Sequence, residues 1–453
     1  MRATATRLMT GNGLITRLLR SSSWVILGYG GAQALRLASN LILASLLFPE
    51  AFGLMALISV ITLGLILFSE VGIGPSIAQS KRGDDPDFLN TAWTIQVVRG
   101  FLLWITACVL AYPVSVFYDQ PDLLIYLPIS AFAMVISGFE PTRIETAHRH
   151  LQLGKLTALN LLAQFIGMVS MVLLAVMWQS VAALVVGGLV TALGTLVLMT
   201  AFLPGIQNRF RWEKPAVHEL IKFGKWIFLS TLFSFFATQG DKAILGKFLT
   251  LQDLGIYNIG FFLASFPILL GQNVIGRVMI PVYRDMTTSD AHKIQRIRYG
   301  LTGGLIALLA LMALAGPWII SQLYDIRYTA SGAVVVAVSV AMIPAVIGMT
   351  YAQAALASGD SRRFFVLSAV KACLQVGLIL AGVIYAGLIG ALFGMGLAAL
   401  MSHIAVIWLS RAHNVWDARH DAIFFILWIV IAAFAYALHS AMIVELLGTV
   451  GRI

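Results

Sequence analysis

ASLLFPEAFGL (Ala44–Leu54) and GKFLTLQDLGI (Gly246–Ile256) are one junction written twice, 202 positions apart. Each joins two long apolar runs, and the same offset aligns Ile73-Gly74 with Ile275-Gly276 without a gap. Letter by letter the match is weak, but it falls at corresponding helix junctions. The simplest architecture that writes such a junction twice is two six-helix halves. Six is even, so both halves enter from the same side and the repeat is parallel, with a pseudo-two-fold axis along the membrane normal.

The rest of the chain agrees with a membrane setting. It is 59% hydrophobic and 11% charged, with a mean hydropathy of +0.90, the composition of a chain solvated by lipid along most of its length. Windows of about 20 apolar residues, the length that crosses a bilayer, give thirteen candidate spans. Six are Trp24 to Leu47, Phe52 to Ile77, Trp93 to Tyr112, Leu123 to Phe139, Leu156 to Trp178 and Val181 to Leu203. Six more are Trp226 to Leu249, Leu254 to Val282, Tyr299 to Leu323, Ala333 to Leu356, Phe365 to Tyr385 and Leu388 to Leu409, and a last one is Ala422 to Leu447.

The expected fold is an all-α polytopic membrane protein of two parallel six-helix bundles plus one additional C-terminal helix. Its segments are a basic amphipathic N-terminus over 1–23, bundles over 24–203 and 226–409, a basic linker over 204–225 and the extra helix over 422–447. The N-terminal segment lacks a short apolar region and a small-residue cleavage site, so it is expected to be retained.

Lys and Arg set the orientation, because cytoplasmic loops are enriched in them. With the N-terminus cytoplasmic, 22 of the 30 basic residues fall inside and only Lys247, Arg327 and Arg452 outside. Basic loops beside helices pair with anionic lipid headgroups, which accounts for the net charge of +10 without nucleic acid. Cys108 and Cys373 both lie in apolar runs, which excludes a disulfide framework and a cysteine metal cluster and leaves them as expected packing residues. Trp24, Trp93, Trp178 and Trp226 stand at expected span ends, as interfacial anchors do.

The remaining five cations, Arg36, Arg99, Lys242, Arg277 and Lys371, lie inside spans. A central Arg, Lys or Asp costs about 2.5–3.5 kcal/mol on insertion scales, so such residues usually face a polar interior and serve a passenger. Gln33, Arg36 and Asn40 share one face of the first span. Thr231, Ser234, Thr238 and Asp241 repeat the pattern on the seventh, with Lys242 beside them. Asn273 and Arg277, Gln96 and Arg99, and Ser368, Lys371 and Gln375 form three further polar stripes.

Stripes on five helices from both halves imply a shared wet cavity. Arg99, Arg277 and Lys371 lie near span ends and equally fit snorkelling to the headgroups. Arg36, about 18 Å into its helix, does not. The deep acids Asp241 and Glu70, with Glu140 at the end of the fourth span, are candidates to take up a proton or sodium ion during a transport cycle.

The stretches SLLFPEAFGL (Ser45–Leu54), SEVGIGPSIAQS (Ser69–Ser80), KFGKWIFLSTLFSFFATQGDKAILGKFLTLQDLGIYNIG (Lys222–Gly260) and ASFPILLGQNVIGRVMIPVYRDM (Ala264–Met286) resemble the Wzx-like polysaccharide flippases. These form the polysaccharide transport family of the multidrug/oligosaccharidyl-lipid/polysaccharide exporter superfamily. The resemblance extends over roughly residues 20–410. It implies two bundles around a central cavity that opens alternately to either face of the bacterial inner membrane. It also implies a polyprenyl-diphosphate-linked glycan as cargo, for exopolysaccharide, capsule or O-antigen synthesis, with a polysaccharide polymerase and chain-length or export proteins as further partners.

A lipid diphosphate fits cations along its path, Arg through its planar fork and Lys as a compact point charge. Arg36, Lys242 and Arg277 are the principal candidates, then Arg99 and Lys371, with Gln33, Asn40, Thr238, Asn273 and Gln375 as polar support.

No cofactor or metal site is expected. There is no Walker A sequence, and His148 and His150 stand without an HExxH or His/Asp cluster. A membrane glycosyltransferase or polymerase would want a sizeable extramembrane loop, which the spans leave no room for. Within the superfamily, a multidrug exporter would want an anionic cavity, and a lipid II exporter usually carries more than one extra helix.

Overall fold

The computed structural model describes the backbone of residues 14–70, 72–285 and 291–450, and side chains over 28–70, 72–220, 231–284 and 292–442. The side chains of Trp24, Lys222, Lys225 and Trp226, and Arg452 altogether, lie outside these, as does most of the N-terminal basic segment.

Among the described residues every regular element is a helix: α1 (Leu14–Leu46), α2 (Pro49–Phe68), α3 (Ile73–Gln79), α4 (Pro86–Tyr118), α5 (Leu123–Gly138), α6 (Arg143–Arg149), α7 (Leu153–Trp178) and α8 (Val181–Phe202), followed by α9 (Lys214–Phe248), α10 (Leu251–Asp285), α11 (Ala291–Leu323), α12 (Ser331–Ile347), α13 (Met349–Ala357), α14 (Ser361–Ala412) and α15 (Ala418–Val450). Nine stretches among the described residues are long and apolar enough to cross a membrane, ten if α5 and α6, bent by 64°, count as one. The chain is a multi-pass membrane protein.

Fewer stretches than thirteen emerge partly because α14 carries two expected spans in 52 residues. The chain reverses at Ala386 and Gly387, where Gly387 adopts a left-handed φ of 57° that a side chain would strain. The two arms then pack backbone to backbone: a Cβ on Gly390 would meet the Gly382 carbonyl oxygen at 2.0 Å, and one on Gly394 the Leu378 oxygen at 2.1 Å. The first and seventh expected spans fall in α1 and α9, whose side chains are described only in part.

The contacts divide the chain into two compact units. One comprises the residues through Leu47 together with Ile61–Leu232; the other comprises Phe48–Val60 and everything from Phe233. Helices α2 and α9 each run from one unit into the other.

In the first unit α4 packs on α5, α7 on α8, and α1 on α7. Helix α4 begins earlier than expected because Asp85 caps it, its carboxylate accepting from the Asp87 N–H at 3.0 Å, and Pro86 supplies a preset first turn. Trp93 therefore lies two turns inside the helix, 9% exposed, with Nε1 donating to the Phe139 carbonyl at 3.2 Å. It is a packing residue and not the expected interfacial anchor. Trp178, 47% exposed, keeps an anchor's position. Cys108 and Cys373 are exposed on α4 and α14, so neither fills the interior as expected.

In the second unit α12 is the hub, packed against α10, α11, α14 and α15 and buried along most of its length. The repeated junction acquires a physical meaning here. A Cβ on Gly53 would lie 2.0 Å from the Leu251 carbonyl oxygen, and one on Gly255 1.9 Å from the Pro49 oxygen. Residues 49 and 53 stand 202 positions before 251 and 255, so the two copies cross each other at their shared glycine. Only glycine permits that approach of backbones.

Candidate functional site

The candidate residues divide between the two units. In the first, Arg36 is exposed on α1 and forms no hydrogen bond or ion pair among the described residues. Gln33 is half-buried one turn before it, and Asn40, one turn after, has a buried Oδ1 without a hydrogen-bond partner among the described residues. These three line one helix face, as their spacing requires.

Arg99 behaves differently. Its Nε donates to Ser69 Oγ at 3.0 Å, and its Nη2 donates to the Ile66 carbonyl at 2.8 Å and reaches Glu70 Oε2 at 3.4 Å. Glu70 also accepts from the Gly72 N–H at 2.8 Å, closing the break between α2 and α3, where Gly72 is left-handed at φ 68°. Arg99 and Glu70, expected in separate roles, thus meet in one local bridge. Gln96 donates to the Ser137 and Glu140 carbonyls and closes the end of α5.

In the second unit Asp241 is only 1% exposed. Its Oδ2 accepts from the Tyr257 hydroxyl at 2.5 Å, while Oδ1 is buried without a hydrogen-bond partner among the described residues. Tyr257, fully buried on α10, is the contact that sequence reading missed. Lys242, on the next residue, holds Nζ 5.6 Å from the centre of the Phe261 ring, a cation–π geometry. Thr238 is exposed and spends its hydroxyl on the Ser234 carbonyl. Asn273 and Arg277 are exposed one turn apart on α10, Lys371 and Gln375 half-buried one turn apart on α14. Neither Arg277 nor Lys371 has a hydrogen bond or ion pair among the described residues.

Other basic residues are held by the fold. Arg143, 8% exposed, donates to the Thr200, Leu203 and Ile206 carbonyls. Arg149 donates to three carbonyls over residues 77–80 and to Asp84, which also meets His150 at 2.8 Å. The hydrogen bond from His150, and then the charges of His150 and Arg149, hold the Asp84 carboxyl below its ordinary range.

A second buried polar cluster joins α15 to its unit. Asp421 accepts from the Tyr351 hydroxyl at 2.9 Å and Trp416 Nε1 at 3.0 Å and lies 3.0 Å from His403 Nε2; His420 Nε2 lies 3.0 Å from Thr302 Oγ1. The Arg298 guanidinium sits 4.5 Å over the Tyr351 ring and donates to the Tyr283 hydroxyl. His and Asp from separate stretches converge, which no contiguous motif could announce. Among the described residues no group of three His, Cys, Asp or Glu is placed to hold a metal ion.

The family model described as "Polysaccharide biosynthesis protein" matches residues 42–323. Among curated relatives, the succinoglycan biosynthesis transport protein ExoT of Rhizobium meliloti is 22% identical over 306 residues, 66% of this chain and 61% of that protein. The lipopolysaccharide biosynthesis protein WzxC of Escherichia coli is 22% identical over 303 residues, 66% of this chain and 59% of that protein. The matched stretch thus spans about three-fifths of these relatives' length.

In fold, the chain is similar to the lipid II flippase MurJ in an inward closed conformation, with a TM-score of 0.63 at 12% identity, covering 94% of this chain and 98% of that one. It is similar to an inward-facing multidrug resistance MATE family transporter, with a TM-score of 0.62 at 14% identity, covering 84% and 94%.

Proposed function

Because the chain belongs to the polysaccharide biosynthesis protein family, we propose that it is a flippase moving a polyprenyl-diphosphate-linked oligosaccharide across the bacterial inner membrane by alternating access. The N-terminus is cytoplasmic in this reading, and the protein moves its cargo without catalysing a reaction on it. The relatives named for succinoglycan transport and lipopolysaccharide synthesis support a glycan cargo. A polymerase and chain-length or export proteins would receive the product.

The observation that carries the reading is the state of the intramembrane cations. Arg36, Arg277 and Lys371 have no anionic partner among the described residues, in a chain where Arg82, Arg143 and Arg149 donate to carbonyls or carboxylates. An Arg or Lys in a span costs about 2.5–3.5 kcal/mol, and a diphosphate passing beside it offsets that cost while losing its own water. Lys242, already held over the Phe261 ring, adds a point charge in this scheme. Arg99, bridged to Glu70, takes a smaller share. Gln33, Asn40, Thr238, Asn273 and Gln375 supply neutral hydrogen bonds.

Ion coupling falls to Asp241 in this scheme. A buried carboxylate with one oxygen held by Tyr257 and the other unpartnered has a place for a proton or a sodium ion. Glu70 is occupied by Arg99 and the Gly72 N–H.

The test is deletion of the gene in its own bacterium, with mass spectrometry of polyprenyl-diphosphate intermediates alongside surface polysaccharide. The expected result is a completed lipid-linked oligosaccharide accumulating in the inner leaflet as surface polysaccharide is lost. An unchanged lipid pool with new sensitivity to cationic drugs would instead indicate a multidrug exporter, and accumulation of the peptidoglycan precursor a lipid II exporter.

A further inference from the structure

The stretch Gln207-Asn-Arg-Phe-Arg-Trp-Glu213, between α8 and α9, is extended and pinned. The N–H groups of Arg209, Arg211 and Glu213 donate to Asn90 Oδ1 at 2.9 Å, Thr94 Oγ1 at 3.0 Å and Thr91 Oγ1 at 3.2 Å on the first turns of α4. Asn208 clamps Thr142 with two hydrogen bonds, Arg143 holds the Leu203 and Ile206 carbonyls, and Arg82 holds Glu213 at 2.7 Å. Backbone and neighbours are thus satisfied, and the strap is fixed on the first unit.

Its remaining side chains have not been used inward. Phe210 is 66% exposed, with its ring 4.9 Å from Trp93, and Trp212 is 58% exposed. The Arg209 and Lys214 side chains are exposed with no hydrogen bond or ion pair among the described residues, where the Arg211 side chain has only the exposed Asp87 at 3.4 Å. Glu213 is neutralised by Arg82 and Arg211 is shared with the exposed Asp87, so Arg209 and Lys214 leave the outward face with an excess of positive charge beside its aromatic rings. It stands beside the first turns of α4 and just after α8, two helices long and apolar enough to cross a membrane, and the ends of such spans meet the headgroups. Trp prefers that depth for its amphipathic ring, and Arg binds phosphate there bidentately.

We infer that this strap is a docking site for an anionic phospholipid of the surrounding leaflet, its phosphate on Arg209 and Arg211 and its upper chain against Phe210 and Trp212. The site does not depend on what cargo the protein carries. A zwitterionic lipid brings its own cation to the phosphate and gains less from two arginines.

The test is native mass spectrometry of the purified full chain titrated with phosphatidylglycerol and with phosphatidylcholine. The wild type is expected to prefer phosphatidylglycerol. Each surface Arg contributes about fivefold to anionic-lipid affinity, so Arg209→Gln with Arg211→Gln lowers it roughly 30-fold while leaving phosphatidylcholine binding and the melting temperature unchanged.

Arg209→Gln alone, which breaks no contact in the fold, lowers it about fivefold, and the double Lys variant keeps most of it. Equal affinity for the two lipids in the wild type, or unchanged phosphatidylglycerol binding in the Gln variants, would overturn the assignment. So would displacement of the lipid by inorganic pyrophosphate, which would mark a diphosphate site instead.

Discussion

The two copies of the repeat treat the same stretch in opposite ways. In the first copy, Ser69 to Gly74 breaks the helix, and its polar groups close on one another: Arg99 to Ser69 and Glu70, Glu70 to the Gly72 N–H. In the second, 202 positions on, Gly271 to Gly276 runs unbroken within α10, and Asn273 and Arg277 are left exposed. Gly72 makes the first break possible at φ 68°; Val274 stands at the corresponding place. Two intramembrane arginines of similar appearance therefore do different work. One holds a broken helix together, and the other, with no hydrogen bond or ion pair among the described residues, is the one proposed to meet a passenger.

The largest effect expected from that contrast is on transport. Arg277→Ala should cut export of surface polysaccharide by at least about tenfold, the loss of one charge-assisted phosphate contact, at normal protein abundance, with Arg277→Lys restoring part of it. Arg36→Ala should behave the same way. Normal export by both alanine variants, measured against membrane-fraction abundance, would remove the distinction between free and bridged cations.

Next in size are the crossing glycines. Gly53→Ala and Gly255→Ala each push a methyl into a backbone carbonyl that cannot step aside, and each should cost about 1–3 kcal/mol by overpacking. Similar drops in melting temperature for both would sharpen the equivalence of the two copies; tolerance at either would show that the crossing has slack. Arg99→Ala should cost less, about 1–2 kcal/mol from lost charge-assisted hydrogen bonds, and should lower abundance more than turnover per molecule. Loss of export at full abundance would instead move Arg99 into the same class as Arg277.

The smallest effect concerns Asp84. Its folded carboxyl lies below its unfolded value, so its contribution to stability is full above the unfolded pKa and fades as pH falls through the folded one. Asp84→Asn should flatten the melting temperature's decline below about pH 4. An identical acid limb in the variant would show that His150 and Arg149 do not hold it.

Most of the fold was legible because apolar length is written in every span, and the junction at Ala44–Leu54 repeats with its glycine in register. What escaped was set by contacts distant in sequence. Trp93 looked like a helix end until Asp85 and Pro86 moved the start of α4, whereas the gap between the spans ending at Tyr385 and beginning at Leu388 already marked the reversal at Ala386 and Gly387. The spacing of Gln33, Arg36 and Asn40 gave their common face correctly, but that Arg99 bridges Glu70 depends on how α4 packs on the end of α2. Tyr257, 16 residues from Asp241, and the Asp421 cluster carry no local motif, since each draws its members from several helices.

The most direct test of free cations as the diphosphate's partners is equilibrium binding in nanodiscs, with polyprenyl diphosphate, polyprenyl monophosphate and polyprenol offered to the wild type and to the combined Arg36→Ala, Arg277→Ala variant. The expected result is affinity rising with phosphate count in the wild type and nearly level across the three ligands in the variant, with the polyprenol affinity shared by both proteins. The same steep dependence on phosphate in the variant would contradict it.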